Sequence, residues 1–395
     1  MYKINKNIYL VFGAYNACVY DLNAKRLIPV EHDSVSAVQQ LFLNPSSTDC
    51  ELFQYFLEEG IIVDKKKYDT TEVIELENDK LQIAWIEVNT TCNFKCIHCY
   101  VDGETHATEI TKISLTDFKY AVDQILSLGI RRLHVIGGEP LMHPDFWEMM
   151  EYAIPKFGFT VLFTNGYLLD KASIHRLVEL GLSEFDLSLY STIPEEHEKV
   201  TLKLGSYQKT MDIIEQIEET GAICHIATVR VPGIDIGLPY HSNKDNPAAQ
   251  HFDYMRASGR GQSKWGEDEL LLGNKAISKS IMQRKVDPQK VLFKMKYHNC
   301  FGRYIRINPE LYVYPCTMEQ RFCHGNLHEY CLSELIQNNI REFNKDKVEV
   351  CCACEYKYIC SDCRPDTFSS DICAKPWFCT YDPLTGCWKE DSSKK

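Results

Sequence analysis

Three thiols fall within eight residues in the run Cys92-Asn-Phe-Lys-Cys96-Ile-His-Cys99. That density exceeds what packing needs and points to metal or cluster ligation. Three ligands on one short loop leave a fourth coordination position open. A structural zinc site competes for the same residues, but such sites are closed tetrahedra, usually built from two Cys-x2-Cys pairs. His98 would complete one here only in strained geometry. The spacing therefore favours a redox-active iron-sulfur cluster over zinc.

The second motif is Gly137-Gly138-Glu139-Pro140. Bare glycine backbone lets a ligand approach closely, and Glu139 supplies a carboxylate acceptor. Alone, the same four residues make an ordinary turn. Both motifs directly follow short apolar runs, Ala84 to Val88 and Arg132 to Ile136. Further runs at Thr160 to Phe163, Glu184 to Leu189 and Ala222 to Val229 follow at βα spacing. Between them lie amphipathic helices with clear punctuation. Ser114 caps the helix carrying Phe118, Val122, Ile125 and Leu126, and Gly129 stops it; Asp170 and Gly181 do the same around Ile174 and Leu177. The pattern predicts an α/β fold of parallel strands with helices outside, with both motifs at the C-terminal ends of their strands, where barrels of this kind place their active sites. After Arg230 the stretch Pro232 to Gln250 shows no helical period, so a fifth crossover helix is not expected.

Two further units flank the barrel. Residues 1–78 read as strands Ile8 to Phe12, Ala17 to Leu22 and Arg26 to Val30 followed by helices, a winged-helix-like α+β module. Lys65 to Lys80 reads as a charged linker or solvated wing. The barrel occupies 79–265. Residues 266–395 are cysteine-dense, with a candidate helix at Leu332 to Phe343, and read as a domain held by metal more than by core. The chain has 395 residues, 18 cysteines and a net charge of −12. The acidity argues against nucleic acid as the main partner. The longest apolar runs fall short of the ~20 residues of a membrane span, and no signal peptide is visible, so a cytoplasmic location is expected. A reducing compartment disfavours disulfides. Cys18, Cys50 and Cys224 stand alone in apolar contexts and read as plain buried cysteines.

The Cys-x3-Cys-x2-Cys loop followed by Gly137-Gly138-Glu139-Pro140 resembles the radical SAM superfamily, which implies that the α/β fold is a partial (β/α)6 TIM-like barrel. The resemblance implies that Cys92, Cys96 and Cys99 hold a 4Fe-4S cluster whose open iron is chelated by S-adenosylmethionine (SAM). Reductive cleavage of SAM would then yield a 5′-deoxyadenosyl radical. It further implies that Glu139 meets the SAM ammonium, that Asn165 of Thr164-Asn165-Gly166 lies near the ribose, and that Ser188 meets the SAM carboxylate. Arg256 to Gly261 is similar to the segment that closes the last barrel strand in that family.

The run Cys351-x2-Cys354-x5-Cys360-x2-Cys363 resembles the SPASM extension, which binds two auxiliary 4Fe-4S clusters, for three clusters in all. By that resemblance Cys351, Cys354, Cys360 and Cys379 hold the outer cluster, and Cys300, Cys316 and Cys363 the inner one. A zinc ribbon is the redox-silent alternative. The chain departs from the family pattern at Leu311, where a glycine is common, and in the two-residue spacing of Cys360 and Cys363. Cys323, Cys331, Cys352, Cys373 and Cys387 are surplus, which leaves the fourth inner ligand unassigned. The ending Cys363-Arg-Pro, Lys375-Pro376 and Tyr381 to Gly386 is similar to ribosomal-peptide maturases, including the grasp-with-SPASM subgroup. The expected partners are a precursor peptide, its leader bound by residues 1–78, and an electron donor such as flavodoxin or ferredoxin. A sulfatase-maturase type of side-chain oxidation and a non-catalytic cluster-bearing scaffold are the alternatives.

Overall fold

The computed structural model describes residues 2–46, 51–100, 111–242, 247–256, 258–261, 265, 277, 285–338, 340–365 and 369–389. Cys50 lies outside the described residues.

The N-terminal module begins with β1 (Tyr2–Ile4) and an antiparallel sheet of β2 (Ile8–Phe12), β3 (Ala17–Asp21) and β4 (Arg26–Val30) in that order. Helices α1 (His32–Leu43) and α2 (Glu51–Glu58) follow, and β5 (Ile62–Asp64) returns to pair with β1. The stretch expected as linker begins with a short helix, α3 (Lys65–Thr70). Asp64 caps it by accepting the Lys67 amide at 2.8 Å. Apolar periodicity could not signal this helix, since none of its residues is buried. Among the described residues β4 pairs only with β3, so its outer edge is open. The two faces of this sheet serve different cores. Ile8, Ala17, Val19 and Val30 pack with Phe53 and Phe56 of the module's own helices. Val11, Cys18, Tyr20 and Leu22 pack instead with Tyr356, Phe378, Tyr381 and Trp388 of the cysteine-rich segment.

The barrel strands are β6 (Ile83–Glu87), β7 (Arg132–Ile136), β8 (Phe159–Thr164), β9 (Glu184–Ser188), β10 (Ile223–Arg230) and β11 (Ala249–Tyr254). All neighbours in this series are parallel and stand in chain order. Helices α4 (Leu115–Ser127), α5 (Phe146–Ala153), α6 (Lys171–Leu180), α7 (Pro194–Thr201) and α8 (Ser206–Thr220) connect them. Between β10 and β11 no helix occurs among the described residues. Helices α4 and α6 form where they were expected because their caps are real: Ser114 Oγ accepts the Asp117 amide at 3.0 Å, and Asp170 and Ser173 cap reciprocally. Phe118, Ala121, Val122 and Ile125 of α4 then bury one stripe against the sheet. Burying the Phe, Val and Ile side chains stabilises by about 1.5–3 kcal/mol each.

The sheet does not end at β6. After α9 (Pro288–Lys296), β12 (Tyr304–Ile307) joins β6 in parallel, and β13 (Tyr312–Tyr314) and β14 (Gly325–Asn326) extend it antiparallel. Ile305, Ile307, Leu311, Val313 and Leu327 belong to the barrel's hydrophobic cluster. The cysteine-rich segment thus rests on apolar core as well as on cysteines. Its expected helix is short, α10 (Leu332–Leu335), because Asn338 turns the chain by pairing with His324 at 2.9 Å.

Leu311 has φ of 64° at the β12–β13 turn, which explains why a glycine suits this position. Left-handed backbone costs a leucine about 1–2 kcal/mol. Its side chain, however, is fully buried, and truncating a buried leucine costs about 2–5 kcal/mol. Burial wins, so Leu311→Gly should lower the denaturant midpoint despite relieving the backbone. An unchanged or raised midpoint would show that the side chain contributes less than its burial implies.

Candidate functional site

The Cys92–Cys99 loop leaves β6 at the C-terminal mouth of the barrel and lies against the turn after β7. The two loops are held by backbone: Gly138 N donates to Asn89 O at 2.8 Å, and Glu139 N to Thr91 O at 2.7 Å. A Cβ on Gly138 would stand 2.4 Å from Thr91 O, so only glycine permits this approach. Gly259 plays the same part from the other side. A Cβ there would meet Cys99 O at 2.3 Å, and the next residue, Arg260, donates its amide to Cys99 O at 2.9 Å. The segment after β11 therefore closes onto the thiol loop.

The donor set fits an iron-sulfur cluster. Cys96 is half-buried, and its thiol is pushed up to about 12 by burial and then by neighbouring Cys99 and Cys92, against the pull of Arg260. Three thiols close enough to oppose one another's ionisation become stable thiolates together only when a cation joins them. Asn93 Nδ2 and His98 Nδ1 are buried beside them without hydrogen-bond partners.

Glu139 is fully buried and faces the protein's own donors. Its carboxylate accepts from Leu141 N at 3.2 Å, Thr164 Oγ1 at 2.8 Å and Asn165 N at 2.9 Å. It thereby ties the end of β8 to the end of β7. Asn165 is placed by this bond, and its Nδ2 reaches Asn93 Oδ1 at 2.7 Å and Cys92 Sγ at 3.9 Å. Gly137 and Pro140 flank the clamp, Pro140 opening a 3-10 turn. Ser188 ends β9, where its side chain bonds Tyr190.

Burial raises Glu139 from 4.5 to about 7, opposed by its three donors. Between these values the folded chain binds the extra proton, so stability falls as pH rises from about 4.5 to about 7, by up to about 3 kcal/mol. Glu139→Gln should flatten that part of the stability profile. A slope unchanged by the substitution would show that Glu139 ionises normally.

Cys351, Cys354, Cys360 and Cys379 line one narrow cavity with Tyr356, Tyr381 and Trp388. The structure thus brings together the four cysteines expected to form the outer set. Cys300 and Cys316 are neighbours, each thiol raised by burial. Cys363 is half-buried. Of the surplus cysteines, Cys331 is a helix N-cap within a capping box, and Cys323, Cys352 and Cys387 are exposed.

Sequence reasoning did not single out Asp362, two residues past Cys360. Lys345, Arg364 and His298 all converge on it in a buried cluster. Lys345 also lies 3.8 Å from Cys360 Sγ. Only a charged residue inside the cysteine run hinted at it.

Residues 86–237 match the model of the Radical SAM superfamily. An AdoMet-dependent heme synthase of Methanosarcina barkeri (strain Fusaro / DSM 804) is 25% identical over 350 residues, covering 79% of this chain and 99% of that protein. The antilisterial bacteriocin subtilosin biosynthesis protein AlbA of Bacillus subtilis (strain 168) is 29% identical over 145 residues, 36% of this chain. That match spans about a third (32%) of AlbA's length. Streptococcus suis SuiB bound to the precursor peptide SuiA is similar in fold, with a TM-score of 0.55 at 13% identity over 94% of this chain and 100% of that one. No helix among the described residues is long and apolar enough to cross a membrane.

Proposed function

From the premise that residues 86–237 are a radical SAM domain, we propose that this chain is a maturase that crosslinks a ribosomally made precursor peptide. The observation that carries the reading is the extent of the likeness to SuiB, whose structure holds a precursor peptide. At 94% of this chain it leaves too little outside for residues 1–78 or 266–395 to be excluded.

Cys92, Cys96 and Cys99 hold the catalytic 4Fe-4S cluster, and the Gly137-Gly138 backbone gives SAM room beside it. When bound, the cluster and SAM supply a 5′-deoxyadenosyl radical able to take hydrogen from an unactivated carbon. The chain's own residues aim and shield that event. Glu139 fixes Asn165 at the cofactor's side, Ser188 stands across the mouth, and the Gly259-Arg260 segment closes the loop from above. Cys351, Cys354, Cys360 and Cys379 would hold an outer auxiliary cluster and Cys300, Cys316 and Cys363 an inner one, and an auxiliary cluster would supply the acceptor for the electron left when the crosslink forms. A flavodoxin or ferredoxin supplies the reducing electron. The open edge of β4 offers the leader a strand to pair with, through main-chain hydrogen bonds.

The test is anaerobic incubation with dithionite, SAM and the precursor peptide encoded beside the gene. The expected product is 5′-deoxyadenosine together with a peptide lighter by two hydrogens per crosslink. 5′-Deoxyadenosine with an unmodified peptide would refute the peptide reading, and no 5′-deoxyadenosine would leave a cluster-bearing scaffold. The likeness to the heme synthase over 79% of the chain supports a second reading, with a tetrapyrrole in the barrel. A tetrapyrrole changed in mass in the same assay, with the peptide unchanged, would establish it.

A further inference from the structure

Inside the barrel wall, away from every cysteine motif, Asp186 on β9, His225 on β10 and His251 on β11 bring one carboxylate oxygen and two imidazole nitrogens within 4.8 Å of one another. Strand register makes the cluster. Asp186 and His225 are direct cross-strand partners, and His251 pairs with Ala227, one same-face step further along β10. Cys224 and Ile226 point into the hydrophobic core beneath the helices, which turns His225 to the opposite face of the sheet.

Three observations raise this above a chance grouping. Asp186 is only 5% exposed, and its Oδ1 is buried without a hydrogen-bond partner. His225 Nδ1 lies 3.0 Å from Glu184 Oε1, also buried, which fixes the tautomer with its lone pair on Nε2. A carboxylate behind a histidine in this way is the usual outer support of a ligating imidazole. The rings of His225 and His251 stand 5.9 Å apart at 80°, edge to face, so both present their nitrogens to one volume. The other charges nearby are Arg132, 3.8 Å from Glu184, and Asp253 on β11.

We propose that Asp186, His225 and His251 bind a divalent transition-metal ion of the zinc class, with Glu184 as the positioning residue for His225. Two imidazoles and a carboxylate form a borderline nitrogen and oxygen set that suits such an ion rather than an iron-sulfur cluster. Closing the ligand atoms to the roughly 3.3 Å separation of a tetrahedron with bonds of about 2 Å needs side-chain adjustment only. Three protein ligands leave a position for water or for a substrate oxygen. Asp186 precedes Ser188 by two residues, about 7 Å down the strand, so the ion sits one layer beneath the thiol loop, on the wall a substrate would face.

The test titrates Co2+ alone into anaerobically reconstituted protein, whose cluster thiolates already hold iron. Wild type should bind one Co2+ per chain with d–d absorption, no thiolate-to-cobalt charge transfer, and nitrogen coupling from imidazole in pulsed EPR. His251→Ala, at an exposed position, and the isosteric Asp186→Asn should each bind it at least ~10-fold more weakly, and Glu184→Gln about 10–100-fold more weakly, with iron content unchanged. Equal Co2+ affinity in wild type and His251→Ala, or Co2+ bound only with thiolate charge transfer, would overturn the proposal. Neither result bears on SAM cleavage, so the site and the peptide reading fail independently.

Discussion

Replacing Cys96 by Ala should remove one cluster outright and bring 5′-deoxyadenosine formation down to the level without protein. Coordination number decides the outcome. The loop offers three thiols, the position left open is the one SAM would take, and losing one thiol leaves two ligands for a group that needs three from the protein. Cys96, like Cys99, is half-buried, so water does not substitute well for its sulfur. Reconstituted iron should fall by about four atoms per chain, measured colorimetrically beside 5′-deoxyadenosine by mass spectrometry. Two comparisons make the result specific. Cys354→Ala, in the outer set, should lose similar iron yet retain SAM cleavage. Cys323→Ala, at an exposed position outside the catalytic and outer sets, should leave SAM cleavage unchanged. SAM cleavage surviving in the Cys96 variant would mean that this loop does not carry the catalytic cluster.

What the sequence made legible follows from how far apart the interacting residues lie along the chain. The thiol loop is local: eight residues carry its spacing, and the helices and strands around it announce themselves through caps and apolar period. The mouth of the barrel could therefore be located before any coordinates. Glu139 was visible as a carboxylate in a motif, but its three donors come from Leu141, Thr164 and Asn165, and two of those arrive on another strand. Its structural role needed the fold. Leu311 could be seen as a departure from a glycine, while the positive φ that gives the departure meaning is a property of the β12–β13 turn. The Asp186, His225 and His251 cluster was out of reach, because a one-residue slip in register would turn each side chain to the other face. The shared core between the N-terminal sheet and the cysteine-rich segment joins residues more than 300 positions apart, such as Tyr20, whose hydroxyl donates to Glu355 O at 2.9 Å. Pattern reading along one chain has no access to such a pairing. Its consequence is practical: deleting residues 1–78 would strip one wall from the core beside the outer cysteines, so leader docking is better tested by point substitution on the β4 edge.

Asp362→Ala is expected to cost about 3–5 kcal/mol, the range for removing one partner of a buried ion pair. The magnitude follows from what would be left behind. Lys345 and Arg364 have side chains 3% and 0% exposed, and both contact the Asp362 carboxylate. His298 Nε2 lies 3.0 Å from its other contact edge at Oδ1 and is held well below its usual value by burial and by the neighbouring Lys345 and Arg364. It is therefore a neutral donor there and adds no compensating charge. Arg364 retains the carbonyls of Ile372 and Ala374 on its Nη1, each at 3.0 Å, but its Nη2 loses the Asp362 carboxylate and its charge is left unbalanced. Without Asp362 two cations would share a dry space with no anion from the network. The thiolates of a loaded outer cluster would supply negative charge in its place, because Lys345 Nζ already lies 3.8 Å from Cys360 Sγ. The loss should therefore be larger in apoprotein than in reconstituted protein, a difference that denaturant midpoints on both forms would read directly. Asp362→Asn, which keeps the shape and loses the charge, should fall between. Equal midpoints for wild type and Asp362→Ala in both forms would mean that Lys345 and Arg364 find other compensation. The same midpoint loss with and without iron would separate this charge cluster from the auxiliary cluster proposed beside it.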